Sequence, residues 1–346
     1  MKKKMGYHVA VVGATGAVGQ KMMKLLEERN FPIEKLKLLA SSRSKGKVLQ
    51  FKGADIVVEE ATPESFEGVD IALFSAGGKT SKQLATHAAK SGAIVIDNSN
   101  GFRMDPTVPL VVPEVNGEDI DKHQGIIANP NCSTIQMVTA LKPLSDRYGI
   151  ERIIVSTYQA VSGAGYQAIQ ELRTQTEQVL HHEEISKNIL PVGSLPIKKQ
   201  IAFNVIPQID VFEENGFTLE EMKMVRETKK IFHDPEIQVT ATCVRVPVVF
   251  GHSESVYVEF KEEYDLTEVF ELLKKAPGIV VVDDPQNQDY PLAIDAAGQL
   301  DVYVGRIRKD LDHSRALNMW IVSDNLLKGA AWNAIQIAEE LVKNAK

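Results

Sequence analysis

Hydrophobic and polar positions alternate along the first third of the chain with two different periods. Residues 8–12 form a short β-branched run, which is typical of a strand buried on both faces. Met22, Leu25 and Leu26 then recur at helical spacing. Further strands are predicted at 36–40, 55–58, 70–74 and 94–97, with helical or loop segments such as 81–90 between them. This alternation predicts a doubly wound α/β domain.

The pattern changes in the second part of the chain. Strands are predicted at 152–159, 239–246, 256–260, 279–282, 302–307 and 317–323, and helices at 167–186, 218–232, 266–275 and 326–342. This order predicts a mostly antiparallel sheet with helices on one face, an α+β layer. A chain of 346 residues is too long for one ordinary core. We expect domains at 1–130 with 325–346 and at 131–324, the last helix packing on the first domain.

Composition removes several classes of function. The hydrophobic share of 44% and the charged share of 25% are those of a soluble globular protein. A net charge of −7 without basic blocks argues against nucleic acid as a partner. The two cysteines, Cys132 and Cys243, are too few for a disulfide framework or a cysteine-rich zinc site, and they fit a reducing, cytoplasmic setting. Neither a signal peptide nor a stretch of membrane-spanning length is predicted.

A glycine turn, defined here as residues 13–19, separates the first predicted strand from the first predicted helix. Gly13, Gly16 and Gly19 have the spacing G-x-x-G-x-x-G. Because the missing side chains let a pyrophosphate approach the helix N-terminus, this turn predicts dinucleotide binding. A tight turn without a ligand is the alternative.

The second predicted strand ends in a polar stretch that bears on which dinucleotide binds. An NAD site usually has an acidic residue there, which binds the 2′-hydroxyl group of the ribose. Ser41, Arg43 and Ser44 follow the strand instead, and no carboxylate stands among them. Since a guanidinium and hydroxyls suit a 2′-phosphate, the stretch predicts NADP. A polar surface loop is the alternative.

Cys132 lies in the run Asn-Pro-Asn-Cys-Ser-Thr at 129–134, which leads into an apolar pattern with helical spacing. Cys132 is therefore expected at or just before a helix N-terminus. Backbone N–H groups and the helix dipole lower the pKa of a thiol there and favour a nucleophilic thiolate. The alternative is a buried cysteine that packs as a small hydrophobe, and the residues alone leave both open.

Four further positions also stay open on the residues alone. His252 follows Gly251 in a tight connection and is either an imidazole at a strand end or a structural histidine. Glu227 and Lys230 form an i,i+3 pair on a predicted helix, where a surface salt bridge is the alternative to a function. Arg103 is a single arginine in a loop, which by itself carries little weight.

Four motifs give the chain a family resemblance. They lie at 13–19, 112–116 and 129–134, and in Arg245-Val246-Pro247 with 251–253. With them the chain resembles the aspartate-β-semialdehyde dehydrogenases along its length. The resemblance implies a Rossmann-type NADP-binding domain, an α+β domain for catalysis and dimerisation, a homodimer and no metal. It also implies NADPH-dependent reduction of aspartyl phosphate through a cysteine thioester, in diaminopimelate and lysine, threonine and methionine synthesis.

The resemblance also implies residue roles. Cys132 becomes the nucleophile, His252 its acid/base partner, and Gln159 the residue that orients the reacting carbonyl. Arg245 and Glu227 are implied to bind the substrate's carboxylate and amino group. The residues implied to hold the phosphate are Arg103, Asn131 and Lys230. Those implied to contact NADP are Gly13, Thr15, Gly16, Ala17, Val18, Ser41, Arg43, Ser44, Ser162, Gly163 and Asn325.

Two rival functions remain. Another acyl-phosphate reductase, such as N-acetyl-glutamyl-phosphate reductase, shares this architecture. A free substrate amino group needs a carboxylate partner, however, so Glu227 favours aspartyl phosphate. A non-enzymatic NADP-binding redox sensor would use only the thiol of Cys132, and it would not need His252 or Gln159.

Overall fold

The computed structural model of the protein describes residues 2–345; Met1 and Lys346, the two ends of the predicted first domain, lie outside them. The chain divides into two compact units, Met1–Asn131 with Ala330–Lys346, and Cys132–Gly329. The domain boundaries expected above remain a prediction. Among the described residues, no helix is long and apolar enough to cross a membrane.

A parallel sheet forms the core of the first unit. Its order is β5-β2-β1-β6-β7-β8, and every neighbouring pair is parallel. The strands are β1 (Tyr7–Val12), β2 (Ile33–Ala40), β3 (Val48–Phe51), β4 (Ala54–Val57), β5 (Glu59–Glu60), β6 (Ile71–Phe74), β7 (Ile94–Asp97) and β8 (Ile126–Ala128). The helices before residue 131 are α1 (Ala17–Glu28), α2 (Gly78–Lys90) and α3 (Pro113–Asn116). The doubly wound α/β prediction is confirmed.

One predicted strand of this unit lies outside the main sheet. The segment expected at 55–58 is β4, which pairs with β3 in a separate antiparallel hairpin. Val48 and Val57 face each other there and are exposed, so the hairpin has little core of its own. The pattern of short apolar runs does not distinguish such a hairpin from a buried strand.

A mixed six-stranded sheet forms the second unit. Its order is β10-β9-β11-β14-β13-β12, in which the pairs β10–β9 and β12–β13 are parallel and the other three antiparallel. The strands are β9 (Ile150–Gln159), β10 (Gln238–Arg245), β11 (His252–Phe260), β12 (Ile279–Val281), β13 (Val302–Lys309) and β14 (Ala316–Ser323). The helices are α4 (Cys132–Tyr148), α5 (Tyr166–Leu180), α6 (Leu219–Ile231), α7 (Leu266–Lys275) and α8 (Ala293–Ala296). The α+β prediction is confirmed.

The two faces of this sheet differ in burial. One face packs on α4 and α7, and Leu141, Val256 and Val269 belong to the same apolar core. Successive side chains of a strand point to opposite faces, so β9 also carries Ile154 and Tyr158 on the other face. Both of these side chains are exposed.

A long irregular segment follows α5. The helix predicted at 167–186 ends at Leu180, and residues 181–217 contain no helix or named strand. Helix α5 anchors the segment through the buried carboxylate of Glu171, which accepts the backbone N–H groups of Ile189 and Leu190 at 2.9 and 3.0 Å. Backbone groups that lack a strand partner are satisfied by this side chain.

The C-terminal helix does not run straight from β14. Residues Leu327–Ala331 form a π-helix, and α9 (Trp332–Lys343) follows. Helix α9 belongs to the first unit, as expected. Within that unit, Asn333 Nδ2 donates to Asn129 Oδ1 at 2.7 Å, and Arg29 pairs with Glu339 at 2.9 Å.

Candidate active site

The glycine turn of the first unit is built for close packing of backbone against backbone. Gly13 has φ +82, and a Cβ added to it would lie 2.3 Å from the carbonyl oxygen of Ser75. A Cβ on Gly19 would lie 2.3 Å from the carbonyl oxygen of Gly13. Helix α1 begins at Ala17, directly behind Gly16, so neither a capping side chain nor an acidic residue stands at its first turn. The residues therefore fit a dinucleotide pyrophosphate at this helix N-terminus.

The polar stretch after β2 lies next to the glycine turn. Thr15 Oγ1 donates to Ser44 Oγ at 3.3 Å, and Ser41 and Arg43 are exposed beside it. The sequence argument that a carboxylate is missing here is incomplete. Strand β5 places Glu60 opposite Ala40, and its carboxylate lies 3.6 Å from Lys45 Nζ. The negative charge of Glu60 is therefore balanced by the positive charge of Lys45, which directly follows Ser44.

Three predicted residues of the second unit form a polar row, defined as Arg245, Gln159 and His252. Arg245 pairs with Gln159 across β10 and β9. The register Ser253–Tyr158 between β11 and β9 sets His252 beside Gln159, and the Nε2 atoms of the two side chains are 3.4 Å apart. The row thus brings together residues that are up to 93 positions apart in the sequence.

His252 is 0% exposed and is held through its ring. The backbone N–H of Ala160 donates to Nδ1 at 3.0 Å. A neutral ring that accepts at Nδ1 carries its proton on Nε2. Burial and, to a smaller extent, the charge of Arg245 lower the pKa of His252 to about 3 against an opposing effect of Glu220. The imidazole is therefore neutral near pH 7, with a proton to donate at Nε2.

Arg245 is only 4% exposed. Its Nη1 donates to the carbonyl oxygen of Ala160 at 2.7 Å, and no residue in 2–345 accepts a hydrogen bond from its Nε. Burial lowers the pKa of this guanidinium, while the carboxylate of Glu220 acts to raise it. A Cβ on Gly163 would lie 3.0 Å from Arg245 Nη1 and 3.3 Å from His252 Nε2, so a side chain there would require these two groups to shift by a few tenths of an ångström. A buried guanidinium with donor capacity left over suits an anionic ligand.

The sequence analysis missed two charged residues near the polar row. Glu220 on α6 is 5% exposed, and Gln159 Nε2 donates to its Oε1 at 3.0 Å. Lys223 Nζ lies 3.0 Å from Glu220 Oε2 and 3.0 Å from Asp210 Oδ2. Burial lowers the pKa of Lys223, but the attraction of Glu220 and Asp210 outweighs it, so the pKa is raised overall. The pair extends the polar row with one carboxylate and one ammonium.

Glu227 and Lys230 have the same i,i+3 spacing on the same helix. They lie seven residues beyond Glu220 and Lys223, which is about 10 Å further along the helix axis. Glu227 is buried and Lys230 is partly buried. Their implied roles remain predictions, and Glu220 and Lys223 compete for them.

Arg103 and Asn131, the other predicted phosphate ligands, both belong to the first unit. Arg103 is largely buried, and its Nη2 donates to the carbonyl oxygen of Asn98 at 2.8 Å. Asn131 is also buried. The side chain of Arg103 is thus fixed by a hydrogen bond and shielded from solvent. Its role in phosphate binding is still a prediction.

The two cysteines differ in their surroundings. Cys132 is the first residue of α4 and is partly exposed, which confirms its predicted place at a helix N-terminus. Cys243 in β10 is fully buried, and burial together with the charge of Glu220 raises the pKa of its thiol. Within residues 2–345 the cysteines form no disulfide, and no cluster of potential metal ligands occurs.

The remaining predicted cofactor residues lie close together in the second unit. Asn325 Nδ2 donates to Ser162 Oγ at 3.0 Å, and its Oδ1 accepts the N–H of Gly251 at 3.0 Å. Ser162 is followed by Gly163, where an added Cβ would lie 3.3 Å from His252 Nε2. Asn325 therefore links the loop after β9 to the loop that precedes His252.

Two family models match the chain. The model described as semialdehyde dehydrogenase, NAD binding domain, matches residues 8–123, and semialdehyde dehydrogenase, dimerisation domain, matches 141–328. An aspartate-semialdehyde dehydrogenase of Bacillus subtilis is 60% identical over 339 residues, which cover 98% of each chain. The chain belongs to the aspartate-semialdehyde dehydrogenase family. The family resemblance of its motifs is thereby confirmed.

Other members of the aspartate-semialdehyde dehydrogenase family agree. The enzyme of Aquifex aeolicus is 58% identical and covers 98% of this chain and 99% of its own. A crystal structure of aspartate semialdehyde dehydrogenase II of Vibrio cholerae, complexed with ASA, has a TM-score of 0.94 at 49% identity, with 99% of each chain covered. The Candida albicans enzyme with NADP has a TM-score of 0.74 at 29% identity, covering 97% of this chain and 98% of its own. This chain is accordingly an oxidoreductase with a nicotinamide-dinucleotide-binding domain.

Proposed function

We propose that this chain reduces L-aspartyl 4-phosphate to L-aspartate 4-semialdehyde with NADPH and releases phosphate, in lysine, threonine and methionine synthesis. The observation that carries the proposal is the polar row, in which a buried guanidinium, an amide and a neutral imidazole share one face of a sheet. The family of the chain supports the same reaction. A sensor that used only a thiol would have no use for these buried side chains.

The first step is an attack by the Cys132 thiolate, which the N-terminus of α4 stabilises. A bond forms between its sulfur and the acyl carbon, the bond from that carbon to the phosphate oxygen breaks, and phosphate leaves with the electron pair. Gln159 is held by Glu220 and Thr157, at 3.0 and 2.9 Å, in an orientation that suits contact with the reacting carbonyl. The product of this step is a thioester on Cys132.

NADPH, when bound, supplies the hydride that reduces the thioester. As the aldehyde is released, the bond between sulfur and carbon breaks and the sulfur regains its electron pair. We assign to His252 a hydrogen bond from Nε2 to the oxygen that carries the negative charge of the tetrahedral adduct, so the neutral ring keeps its proton while the sulfur leaves as the thiolate. Burial and the charge of Arg245 outweigh the opposing effect of Glu220 and keep the ring neutral.

The two ends of the substrate need opposite charges. Arg245 is proposed to bind the α-carboxylate, since its Nε is not satisfied within residues 2–345 and its planar fork suits a carboxylate. The ammonium group is proposed to bind a carboxylate of α6, and Glu220 competes with Glu227 for this role because Glu220 contacts Gln159. Lys223 likewise competes with Lys230 for the phosphate, with Arg103 and Asn131 as the further phosphate ligands.

NADP is proposed as the preferred dinucleotide. The glycine turn, through Gly13, Thr15, Gly16, Ala17 and Val18, would hold the pyrophosphate. Ser41, Arg43 and Ser44 would hold the 2′-phosphate, and Ser162, Gly163 and Asn325 would hold the nicotinamide end. The contact between Thr15 and Ser44 supports the first two sets as neighbours.

A cytoplasmic homodimer is proposed as the working form. The matching dimerisation-domain model and the exposed apolar side chains of β9 support the dimer. Tyr158 of β9 packs against Trp320 of β14 with ring centroids 5.4 Å apart, so the exposed face also carries packed aromatic rings. Such a face is suited to self-association. The two domain ranges 1–130 with 325–346 and 131–324 are retained as part of this proposal.

One assay separates this function from its rivals. Phosphate-dependent reduction of NADP is measured with aspartate semialdehyde and, in parallel, with N-acetylglutamate semialdehyde. We expect turnover with the first substrate and very little with the second, because Glu220 favours a free ammonium group. Equal or greater turnover with the second would favour the acetylated substrate, and no turnover with either would favour a non-enzymatic role.

A further inference from the structure

Gln136 connects two elements of the second unit that carry the proposed reacting groups. It lies four residues after Cys132 on α4, on the same face of the helix. Its side chain is fully buried. Its Nε2 donates to the carbonyl oxygen of His252 at 3.3 Å, and its Oε1 accepts from Ser323 Oγ at 2.8 Å. A single amide therefore joins the helix of the thiol, the strand of the imidazole, and β14.

Gly329 makes a second contact with the start of α4. A Cβ added to Gly329 would lie 2.7 Å from Cys132 Cβ and 3.2 Å from Cys132 Cα, which is closer than such atoms approach. Gly329 lies in the π-helix Leu327–Ala331, an uncommon turn that recurs at functional sites. Asp324 holds the turn in place, since its Oδ1 accepts the N–H of Leu327 at 3.1 Å and its carbonyl oxygen accepts the N–H of Gly329 at 3.2 Å.

We propose that Gln136 and Gly329 are positioning residues that together set where the sulfur of Cys132 stands relative to the imidazole of His252. Gln136 fixes the first turns of α4 against β11, and Gly329 leaves the space that the Cys132 side chain occupies. The inference rests on the proposed function, in which Cys132 forms the tetrahedral adduct and His252 donates a hydrogen bond to its oxygen. A displacement of about 1 Å at reacting atoms costs on the order of a hundredfold in rate.

The first test replaces Gln136 by leucine, which keeps the approximate size and removes both hydrogen bonds. We expect kcat to fall at least about tenfold, with KM for NADP within about twofold of wild type, because the sulfur is displaced and the dinucleotide site is not. The matched control is Gln175→Leu. Gln175 is also a fully buried helical glutamine of the second unit, and it bridges Ser186 and Ile201 away from Cys132. It should lower stability and leave kcat per folded enzyme unchanged.

The two hydrogen bonds of Gln136, to His252 and from Ser323, are called the bridge here. A double-mutant cycle with Ser323→Ala tests whether the bridge acts as one unit. Ser323→Ala removes one of the two hydrogen bonds of Gln136. If both substitutions act through the same bridge, the double variant is no slower than Gln136→Leu alone. Fully additive losses in kcat would contradict a shared bridge.

The second test measures the reactivity of the thiol without turnover. In Gly329→Ala the rate of iodoacetamide alkylation of Cys132 is followed against pH, and we expect a lowered rate or a shifted midpoint. Gly117→Ala is the control, because Gly117 has helical φ −56 and a Cβ there meets nothing within 4 Å. Its alkylation profile should match that of the wild type.

The outcomes separate this inference from the proposed function. Wild-type kcat and a wild-type alkylation profile in both Gln136→Leu and Gly329→Ala would overturn the positioning role. A rate loss that only mirrors a loss of folded protein would overturn it as well. If Gln136→Leu does not fold, Ser323→Ala and Gly329→Ala decide the question. Full turnover in Cys132→Ala would instead defeat the proposed function.

Discussion

The glycine turn and the polar row offer binding groups for charged ligands in opposite ways. The glycine turn offers backbone N–H groups at the start of α1, and its glycines let neighbouring backbone segments pack closely. The polar row uses side chains, Gln159, Arg245 and His252, that are almost completely buried. An added Cβ at Gly13 or Gly19 would therefore clash with neighbouring backbone. In the polar row, a changed charge or a lost hydrogen bond lowers activity or stability, because electrostatic effects are stronger away from water.

The comparison predicts that the largest loss comes from the thiol that works beside the polar row. Cys132→Ala should lower kcat by more than about a thousandfold, because no other group there can form the thioester. NADPH binding, measured by fluorescence titration, should stay close to wild type, since the glycine turn lies in the other unit. Cys243→Ala is the control and should retain turnover. Near-normal kcat in Cys132→Ala would rule out covalent catalysis.

The next largest effect separates two carboxylates of α6. Glu220→Gln should raise KM for aspartate semialdehyde by about tenfold or more, since a charged hydrogen bond contributes about 1.5–3 kcal/mol. Glu227→Gln serves as the matched variant and should change that KM by less than about threefold, being about 10 Å away along the helix. Steady-state kinetics at saturating phosphate gives both values. The reverse order of effects would return the ammonium-binding role to Glu227.

A smaller effect is expected at the polar stretch beside the glycine turn. Arg43→Ala should raise KM for NADP by about tenfold or more through loss of a charge-assisted contact with the 2′-phosphate. The kinetics with NAD should hardly change, because NAD lacks that phosphate. Should both dinucleotides suffer equally, Arg43 has a structural role and the preference for NADP has another origin.

The smallest effect concerns stability and tests whether the protein interior next to the polar row excludes water. Glu254 lies two residues after His252 on β11 and is fully buried, and the amide of Gln136 only partly offsets the cost of burying its charged form. Burial raises the pKa of Glu254 well above its usual value. A raised folded-state pKa gives stability that is complete below the unfolded pKa, about 4.3, and is lost as pH rises above it.

Glu254→Gln should therefore have a higher Tm than wild type at pH 7–8. The difference should shrink as the pH approaches the unfolded pKa, where wild-type Glu254 is protonated in both states. Thermal unfolding across this pH range measures the difference directly. A variant that is less stable than wild type at pH 8 would mean that the carboxyl is ionised and compensated in the fold.

Local features of both sites could be predicted from the sequence. The glycine turn and the place of Cys132 at the start of α4 depend on neighbouring residues, so contiguous patterns were sufficient. The same reasoning missed Glu60, because the two-residue strand β5 reaches Ala40 only through sheet pairing. It also gave no reason to place β10 parallel and β11 antiparallel to β9, which is the arrangement that creates the polar row.

The two Glu-x-x-Lys pairs of α6 show a feature that a local sequence pattern does not predict. Glu220 with Lys223 and Glu227 with Lys230 have identical spacing and lie two turns apart on one helix. Only the rotation and depth of α6 against β9 decide which glutamate meets Gln159. That packing depends on the whole core of the second unit, and no short stretch of sequence contains it.

The central claim is that Cys132 carries an acyl group during turnover. Mass spectrometry of enzyme incubated with aspartate semialdehyde and NADP, without phosphate, tests it most directly. The account predicts one hydroxylamine-sensitive aspartyl adduct on the peptide that contains Cys132, and none on the peptide that contains Cys243. An active enzyme that forms no adduct on Cys132 under these conditions, or forms it on Cys243, would contradict the account.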